Sequence, residues 1–446
     1  MGPKASFRGV FLPPQKTTNK AIEQSGHPQR VIIPLGYDAD SVCEPVVAVG
    51  DQVNTGQLLG QSTSFHSAPV HSSVSGRVAD IRTWFDQKGD QVLSVIVDSD
   101  GKDSWQEEIQ SDDRYLEKER VQILADLKTC GVVDSGPPCM PLHAKLGRPE
   151  PSKEYLFLVG VPPAKRIDTL IVNAIDTEPG MALRSAVLNS LGPEVTAGLK
   201  ILQRLLSEAE LVLAVSKNGG LNASTASDLT ALGVRIFQGK NKYPLGLNPI
   251  LIKCVTGREI PLPEGSEADI GVAVVDVVSL VHIVEAVRDS KPQVERIVSV
   301  SGAGIDPVRN LKIRLGTPVK DVMGQVGISA DDPVKVIAGG AMTGYALFSY
   351  DIPVTKTTDA LIFQTAREAT RFSSEACINC GMCVRYCPAR LLPNELSKYC
   401  EFSLFQEARD RSLFHCIECG ICAYVCPEKR PMLHLMRFGK RELSAS

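Results

Sequence analysis

The strongest chemical signal in this sequence is a set of eight cysteines near its C-terminus. They form two runs, Cys377-Ile-Asn-Cys380-Gly-Met-Cys383-Val-Arg-Tyr-Cys387-Pro388 and Cys416-Ile-Glu-Cys419-Gly-Ile-Cys422-Ala-Tyr-Val-Cys426-Pro427. Both follow C-x₂-C-x₂-C-x₃-C-P. In that spacing three thiolates from a tight turn reach one [4Fe–4S] cubane, and the fourth ligates a neighbouring cluster. The rule groups Cys377, Cys380, Cys383 and Cys426 around one cluster, and Cys416, Cys419, Cys422 and Cys387 around the other. Structural zinc is the plain alternative for four cysteines. Zinc sites rarely need this run, closed by proline and repeated. Crossed ligation would also bring the clusters within electron-hopping reach. Gly381 and Gly420 suit a backbone passing close to inorganic sulfide. Ile378, Val384, Ile417, Ile421 and Val425 should exclude water, which tunes the potential.

The other cysteines carry weaker signals. Cys43, Cys130, Cys139 and Cys254 are scattered over the first three quarters of the chain. Cys400 lies between the two motifs and reads as a buried hydrophobe. Cys139 stands in a Pro/Gly-rich loop, Gly131-Val-Val-Asp-Ser-Gly-Pro-Pro-Cys-Met-Pro141. A redox-active thiol there is one reading, with no C-x-x-C spacing to support it. His71, His143 and His415 have no ligand-like neighbours and read as structural.

Composition bounds the rest. The 446 residues suggest two to four domains, and 43% hydrophobic against 22% charged residues allow real cores. A formal net charge of −3 argues against nucleic acid as a partner. The apolar stretches fall short of a spanning helix, and nothing at the N-terminus reads as a signal peptide. The expected setting is soluble and reducing.

The elements that must position these motifs fall into blocks. Residues 1–30 are polar and interrupted by Gly and Pro, an extended arm or early loop. Short β runs between Gly and Asp turns over 31–101 indicate a small all-β module. A helix is expected over 112–128, capped by Asp112, with Leu116, Val121, Leu124 and Leu127 on one face. Strands at 169–173, 210–216, 234–238 and 270–275 alternate with helices at 195–206, 224–232 and 279–289. That alternation argues a parallel α/β sheet over 112–290. Residues 294–337 return to β character. From Asp359 the chain should become helical through 430. A basic tail, 431–446, holds Arg437, Lys440 and Arg441 beside Leu433, Leu435, Met436 and Phe438. It reads as solvated, or as a contact for an acidic partner or anionic membrane surface.

Taken over nearly its full length, the chain resembles the RnfC family, the peripheral subunit of the ion-translocating ferredoxin:NAD⁺ oxidoreductase. Residues Val49-Gly50-Asp51 through Leu59, Ala68-Pro69-Val70-His71 and Ser75-Gly76-Arg77-Val78 resemble its biotinyl/lipoyl-like barrel-sandwich. No lysine lies within Pro69–Gly76, so a covalent carrier role is not supported. Asn173-Ala-Ile-Asp176-Thr177-Glu178-Pro179 and Val255-Thr-Gly-Arg-Glu259 resemble the α/β domain of the complex I flavin subunit. Gly339–Gly344 and Pro353-Val-Thr-Lys356 also match the family, and 294–337 resembles its soluble-ligand-binding β-grasp-like domain. The resemblance implies FMN and NAD(H), with Lys145, Asn173, Glu178 and Tyr243 lining a flavin. It also implies redox protein partners in a multisubunit complex, on the cytoplasmic face of the membrane.

Three departures bear on that site. The family's nucleotide loop reads Gly-Leu-Gly-Gly-Ala-Gly-Phe-Pro with a lysine beyond. Here it is Asp134-Ser-Gly136-Pro137-Pro138-Cys139-Met-Pro141, with Lys145. Lost glycines remove backbone that could wrap a phosphate, the prolines remove N–H donors, and Asp134 adds negative charge. Tyr243-Pro-Leu-Gly246-Leu-Asn-Pro249 stands where the family has Tyr-Pro-x-Gly-Gly-Glu-Lys. Asp176 and Thr177 replace glutamate and cysteine. NAD(H) binding in the family's manner is therefore not expected, and FMN is left open. The leading expectation is an electron-transfer subunit relaying through two [4Fe–4S] clusters. Its rivals are an FMN-dependent NADH/NAD⁺ oxidoreductase subunit, a scaffold with structural clusters, and a partner of a specialised reductase system working through Cys139.

Overall fold

The computed structural model describes residues 7–12, 18–36, 41–107, 109–147, 165–217, 221, 223–263, 265–302, 305–329 and 333–445. The short β runs after Arg30 build a two-sheet sandwich. One sheet joins Arg30–Pro34, Gln91–Ser99, Gly76–Phe85 and Gln52–Val53 in that order; the other joins Glu44–Pro45, Leu58–Gln61 and Val70–His71. Alternate residues, Val31 and Ile33 facing Val95 and Val97, with Leu59 and Val70 opposite, fill one core. The tip at 69–76 is not a swinging arm. Ser73 Oγ donates to the Leu315 carbonyl at 2.5 Å and Lys356 Nζ to the Pro69 carbonyl at 3.1 Å.

The helix expected over 112–128 begins later, as Arg120–Thr129, after a separate turn at Tyr115–Glu117. Glu119, not Asp112, caps it through reciprocal bonds with Gln122. The break shifts the helical phase. Ile123 and Leu127 are buried, and Val121 is 78% exposed.

The α/β unit has four parallel strands in the order Arg235–Gly239, Glu210–Ser216, Thr169–Ala174, Val272–Asp276. Both faces are covered, which is why these strands read as near-continuous apolar runs. Leu170, Val172, Leu213 and Val275 meet the helices Gly192–Leu205 and Val277–Asp289 on one side. Ile171, Val212 and Val274 meet Asn248–Thr256 on the other. Strand order reverses between Thr169–Ala174 and Val272–Asp276, and a doubly wound sheet opens its ligand crevice beyond the carboxyl ends of such a pair.

A third, six-stranded sheet runs Thr18–Gln24, Ile305–Arg314, Glu295–Gly302, Ala360–Gln364, Lys335–Ala338, Tyr345–Ala346. It corrects three expected boundaries. The arm 1–30 contains an edge strand, pairing in parallel with Ile305–Arg314. Edge pairing uses backbone groups, so the polar sequence hides it. The β domain also runs past 337, because Ala360–Gln364 is inserted between two of its strands and buried there. The helical cluster domain thus begins after Gln364 rather than at Asp359.

That last domain packs the helices Pro393–Glu401, Phe405–Asp410 and Met432–Ala445 around Leu396, Cys400, Leu413 and Met436. Cys400 is fully buried, as a small hydrophobe would be. The basic tail is corrected as well: through Ala445 it is a helix with Leu433 and Met436 inside. Arg437 and Lys440 pair with Glu418 at 2.8 Å each, and Arg441 with Asp90 at 2.8 Å. Arg437 and Lys440 are largely buried in these pairs, whereas Arg441 stays 68% exposed.

Candidate functional site

The two cysteine runs fold as repeats of one turn. Asn379 and Gly381 take φ of +55° and +73°; Glu418 and Gly420 take +53° and +72°. Two left-handed residues per run coil the backbone so that amides face sulfur. The Asn379 N–H donates to Cys377 Sγ and the Glu418 N–H to Cys416 Sγ, both at 3.4 Å. After each Cys-Pro a third left-handed residue, Arg390 or Lys429, closes a turn onto the cysteine carbonyl. The Leu391 N–H then reaches Cys387 Sγ at 3.4 Å. Such N–H···S bonds stabilise charge on ligating sulfur and raise cluster potential.

Each set of four thiols surrounds a cavity. Cys377, Cys380, Cys383 and Cys426 line one, with Ile378 and Met432. Cys387, Cys416, Cys419 and Cys422 line the other, with Leu433 and Met436. Among the described residues no three such side chains converge on a single-ion position, and four thiols instead surround each space. Burial pushes the Cys419 thiol up to about 12 and raises Cys422 and Cys416 as well. Thiolates in such a place need cationic iron beside them. The donor set, its N–H partners and its apolar walls fit [4Fe–4S] clusters.

The cavities differ in setting. The Tyr243 hydroxyl, from the α/β unit, donates to the Cys419 carbonyl at 2.6 Å. Tyr243, Cys419 and Ile421 share a small core with Val10. Gly420 lies so close to the Met342 carbonyl that a Cβ would collide with it. The cavity of Cys419 is therefore seated on the α/β unit and the Gly339–Gly344 loop. The cavity of Cys377 faces outward, with Cys380 exposed and Ile378 60% exposed.

The four flavin candidates are all engaged within the chain. Lys145 Nζ is buried, 2.8 Å from Asp134 Oδ2 and 3.7 Å from Glu267. Burial would lower its ammonium, but Asp134 and Glu267 carry it above its ordinary value. Asn173 Nδ2 donates to the Gly246 carbonyl at 2.8 Å. Glu178 accepts from the Met342 N–H at 2.9 Å and from the Thr343 hydroxyl. Tyr243 serves Cys419.

The crevice at the strand reversal is filled by charge that no motif announced. Arg184 Nε donates to Asp276 Oδ2 at 2.6 Å, and its Nη2 lies 3.3 Å from Asp359. Asp359 also pairs with Arg296, which reaches the Ser135 hydroxyl at 3.0 Å. Asp134 accepts from the Asp276 N–H at 3.0 Å and the Ser279 hydroxyl at 2.6 Å. Arg184 and Arg296 are fully buried. Asp276 is pushed up to about 6 by burial against the pull of Arg184. A phosphate placed beside Gly136 would meet the carboxylates of Asp134 and Asp276. The Asp276 side chain already lies 3.4 Å from where a Gly136 Cβ would be. These residues do not fit the FMN phosphate.

Cys139 takes φ of +57°, and burial pushes its thiol up to about 12. Cys130 is buried and likewise pushed up to about 12. Neither thiol has the depressed pKa that reactivity needs.

Comparison with known proteins agrees with this architecture. Residues 5–102 match the RnfC barrel sandwich hybrid domain, 127–285 the Nuo51 FMN-binding domain, and 366–427 a 4Fe-4S dicluster domain. Two clusters therefore belong to the chain. A subunit of the proton-translocating ferredoxin:NAD(+) oxidoreductase complex of Clostridium ljungdahlii is 34% identical over 449 residues, covering 99% of this chain and 94% of that one. Its counterpart in the Na(+)-translocating ferredoxin:NAD(+) oxidoreductase complex of Acetobacterium woodii is 32% identical over 99% of this chain and 97% of its own. The counterpart in the ion-translocating oxidoreductase complex of Klebsiella pneumoniae is 32% identical over 98% of this chain and 57% of its own length. With this coverage at both ends, and with the dicluster domain between the sandwich-bearing body and the C-terminal helix, the chain belongs to the RnfC family.

Proposed function

We propose that this chain is an electron-relay subunit of a larger oxidoreductase complex, with one cluster site at its surface and one at its core. The observation that carries this is the unequal setting of the two four-cysteine cavities. Two [4Fe–4S] clusters supply one-electron donors and acceptors; the chain's own residues hold, insulate and aim them. Cys377, Cys380, Cys383 and Cys426 hold the surface site, where a partner protein can approach. Cys416, Cys419, Cys422 and Cys387 hold the inner site, against Tyr243 and Met342. Ile417, Ile421 and Leu433 keep water from the inner site, and the N–H donors on Cys416 and Cys387 stabilise charge there.

The relatives are named for ferredoxin and NAD(+), and this chain works as the corresponding subunit, peripheral on the cytoplasmic face of a membrane complex. Among the described residues no helix is long and apolar enough to cross a membrane. NADH does not enter through FMN in the α/β crevice, because the ion network of Arg184, Asp276, Asp359 and Arg296 fills it.

Iron, sulfide and flavin content of anaerobically purified protein, with spectra before and after NADH, tests this reading. About eight irons and no flavin are expected, with no bleaching by NADH. Stoichiometric flavin reduced by NADH would overturn the relay in favour of a dehydrogenase subunit.

A further inference from the structure

The two cysteine runs are copies of one turn, offset by 39 positions: Cys377 matches Cys416, Gly381 matches Gly420, and Lys398 matches Arg437. The residues around the two cavities keep that offset, so Ile378 and Met382 stand where Ile417 and Ile421 stand in the second copy. In the second copy the turn is covered by protein. The Met342 carbonyl lies against Gly420, the Tyr243 hydroxyl donates to the Cys419 carbonyl, and Ile421 packs with Val10 and Tyr243. Arg437 holds the covering loop from one side, donating to the Thr343 carbonyl at 2.6 Å and lying over the Tyr345 ring.

The first copy presents the same turn uncovered. Ile378, Asn379, Cys380 and Gly381 are all exposed, and among the described residues nothing lies within 4 Å of a Cβ placed on Gly381. Phe402, 72% exposed, follows Glu401, which pairs with Arg430 of the cavity wall. Four cations flank this face. Lys398 holds the place of Arg437. Arg385 lies on the short helix that Gly381 opens. The Ser373 N–H donates to the Lys429 carbonyl at 3.1 Å, which brings the backbone beside Arg371 against Lys429. Among the described residues none of the four pairs with a carboxylate. The unpaired carboxylates beside the cavity are Glu375 and Glu428, so positive charge is in excess.

We propose that the face around Ile378 and Gly381 docks a small one-electron carrier protein with an apolar centre and an acidic rim. The carrier covers the first turn as the Met342 loop covers the second. Ile378 and Phe402 meet its apolar centre, and Arg371, Arg385, Lys398 and Lys429 meet its acids. Two large apolar side chains inside a charged rim suit a transient encounter rather than a permanent subunit interface. Unpaired cations at such a rim steer an acidic partner and repel a basic one. One electron crosses in the encounter: one partner is oxidised, the other reduced, and no bond or proton moves. The proposal rests on the relay reading and names the class of its partner.

Anaerobic binding of an acidic two-cluster ferredoxin to the full, cluster-loaded chain tests it, with basic cytochrome c as the contrast. Saturable, reversible binding of the ferredoxin is expected, weakening roughly tenfold between about 50 and about 300 mM salt as the rim is screened. Cytochrome c should not bind. Arg371→Glu combined with Lys429→Glu should weaken the ferredoxin roughly tenfold, and Ile378→Asp by a similar factor. Lys102→Glu, on the sandwich, should leave affinity unchanged. If Ile378→Asp loses iron, the salt series and the double charge reversal decide. No saturable ferredoxin binding, tighter binding of cytochrome c, or affinity untouched by salt and by every variant that keeps its iron would each overturn the proposal. Cluster-loaded protein that fails to bind refutes the docking face and leaves the relay standing. A chain that binds the ferredoxin but holds no iron refutes the relay and leaves the docking face standing.

Discussion

Glu178 shows how one side chain changes meaning once its surroundings are known. Expected beside a flavin, it ties the α/β unit to the Gly339–Gly344 loop through Met342 and Thr343. Burial pushes its carboxyl up to about 7, against the pull of those two donors. Its folded pKa lies above its unfolded one, so the folded state holds the proton more tightly. That contribution is fully present below about 4.5 and is lost as pH rises through about 7. Wild-type protein should therefore lose up to about 3 kcal/mol of stability between roughly pH 5 and pH 8 from this group. Glu178→Gln should flatten that slope in anaerobic denaturant titrations. An unchanged slope would show that Glu178 is ionised throughout.

The doubled cysteine turn makes a differential prediction at the level of the element. Gly381 and Gly420 occupy the same place in their runs and have nearly the same φ. A Cβ at Gly381 would meet nothing within 4 Å, whereas one at Gly420 would strike the Met342 carbonyl. Gly381→Ala should cost about 1 kcal/mol, the left-handed penalty alone. Gly420→Ala should cost several times more and release iron from the inner site first. Iron retention during mild chelation reads the difference, and equal losses would refute the seating of the inner turn on the Met342 loop. The C-terminal helix supports the same turn, since Arg437 and Lys440 hold Glu418 from one side.

At the scale of the molecule, the ion network joins two modules beside an apolar contact in which Ile297 and Ala360 of the third sheet pack into the α/β core. Arg184 and Asp276 belong to the α/β unit; Arg296 and Asp359 belong to the third sheet. Removing one partner leaves a buried charge exposed to low dielectric, which typically costs about 3–5 kcal/mol. Arg184→Met should do so and should split one thermal transition into two as the α/β unit loosens from the rest. Calorimetry of the variant checks this. A single transition shifted by less than about 2 °C would mean that the network is dispensable.

Some of this was written in the chain itself. The cysteine spacing determined the chemistry, because it lets three thiolates of one turn and a fourth from the other run reach the same cubane. Apolar runs at 169–174, 210–216 and 272–276 determined a covered parallel sheet, because only strands buried on both faces tolerate them. Altered residues at 134–141 and 243–249 argued against NAD(H) bound in the family's manner and left FMN open. Tertiary structure alone decided the rest. An edge strand at Thr18–Gln24 needs only backbone pairing, so its side chains announce nothing. Arg184, Asp276, Arg296 and Asp359 are far apart in sequence, and only folding makes them one network. The two motifs look equivalent in sequence; only packing against Tyr243 and Met342 makes one site interior and leaves the other facing out.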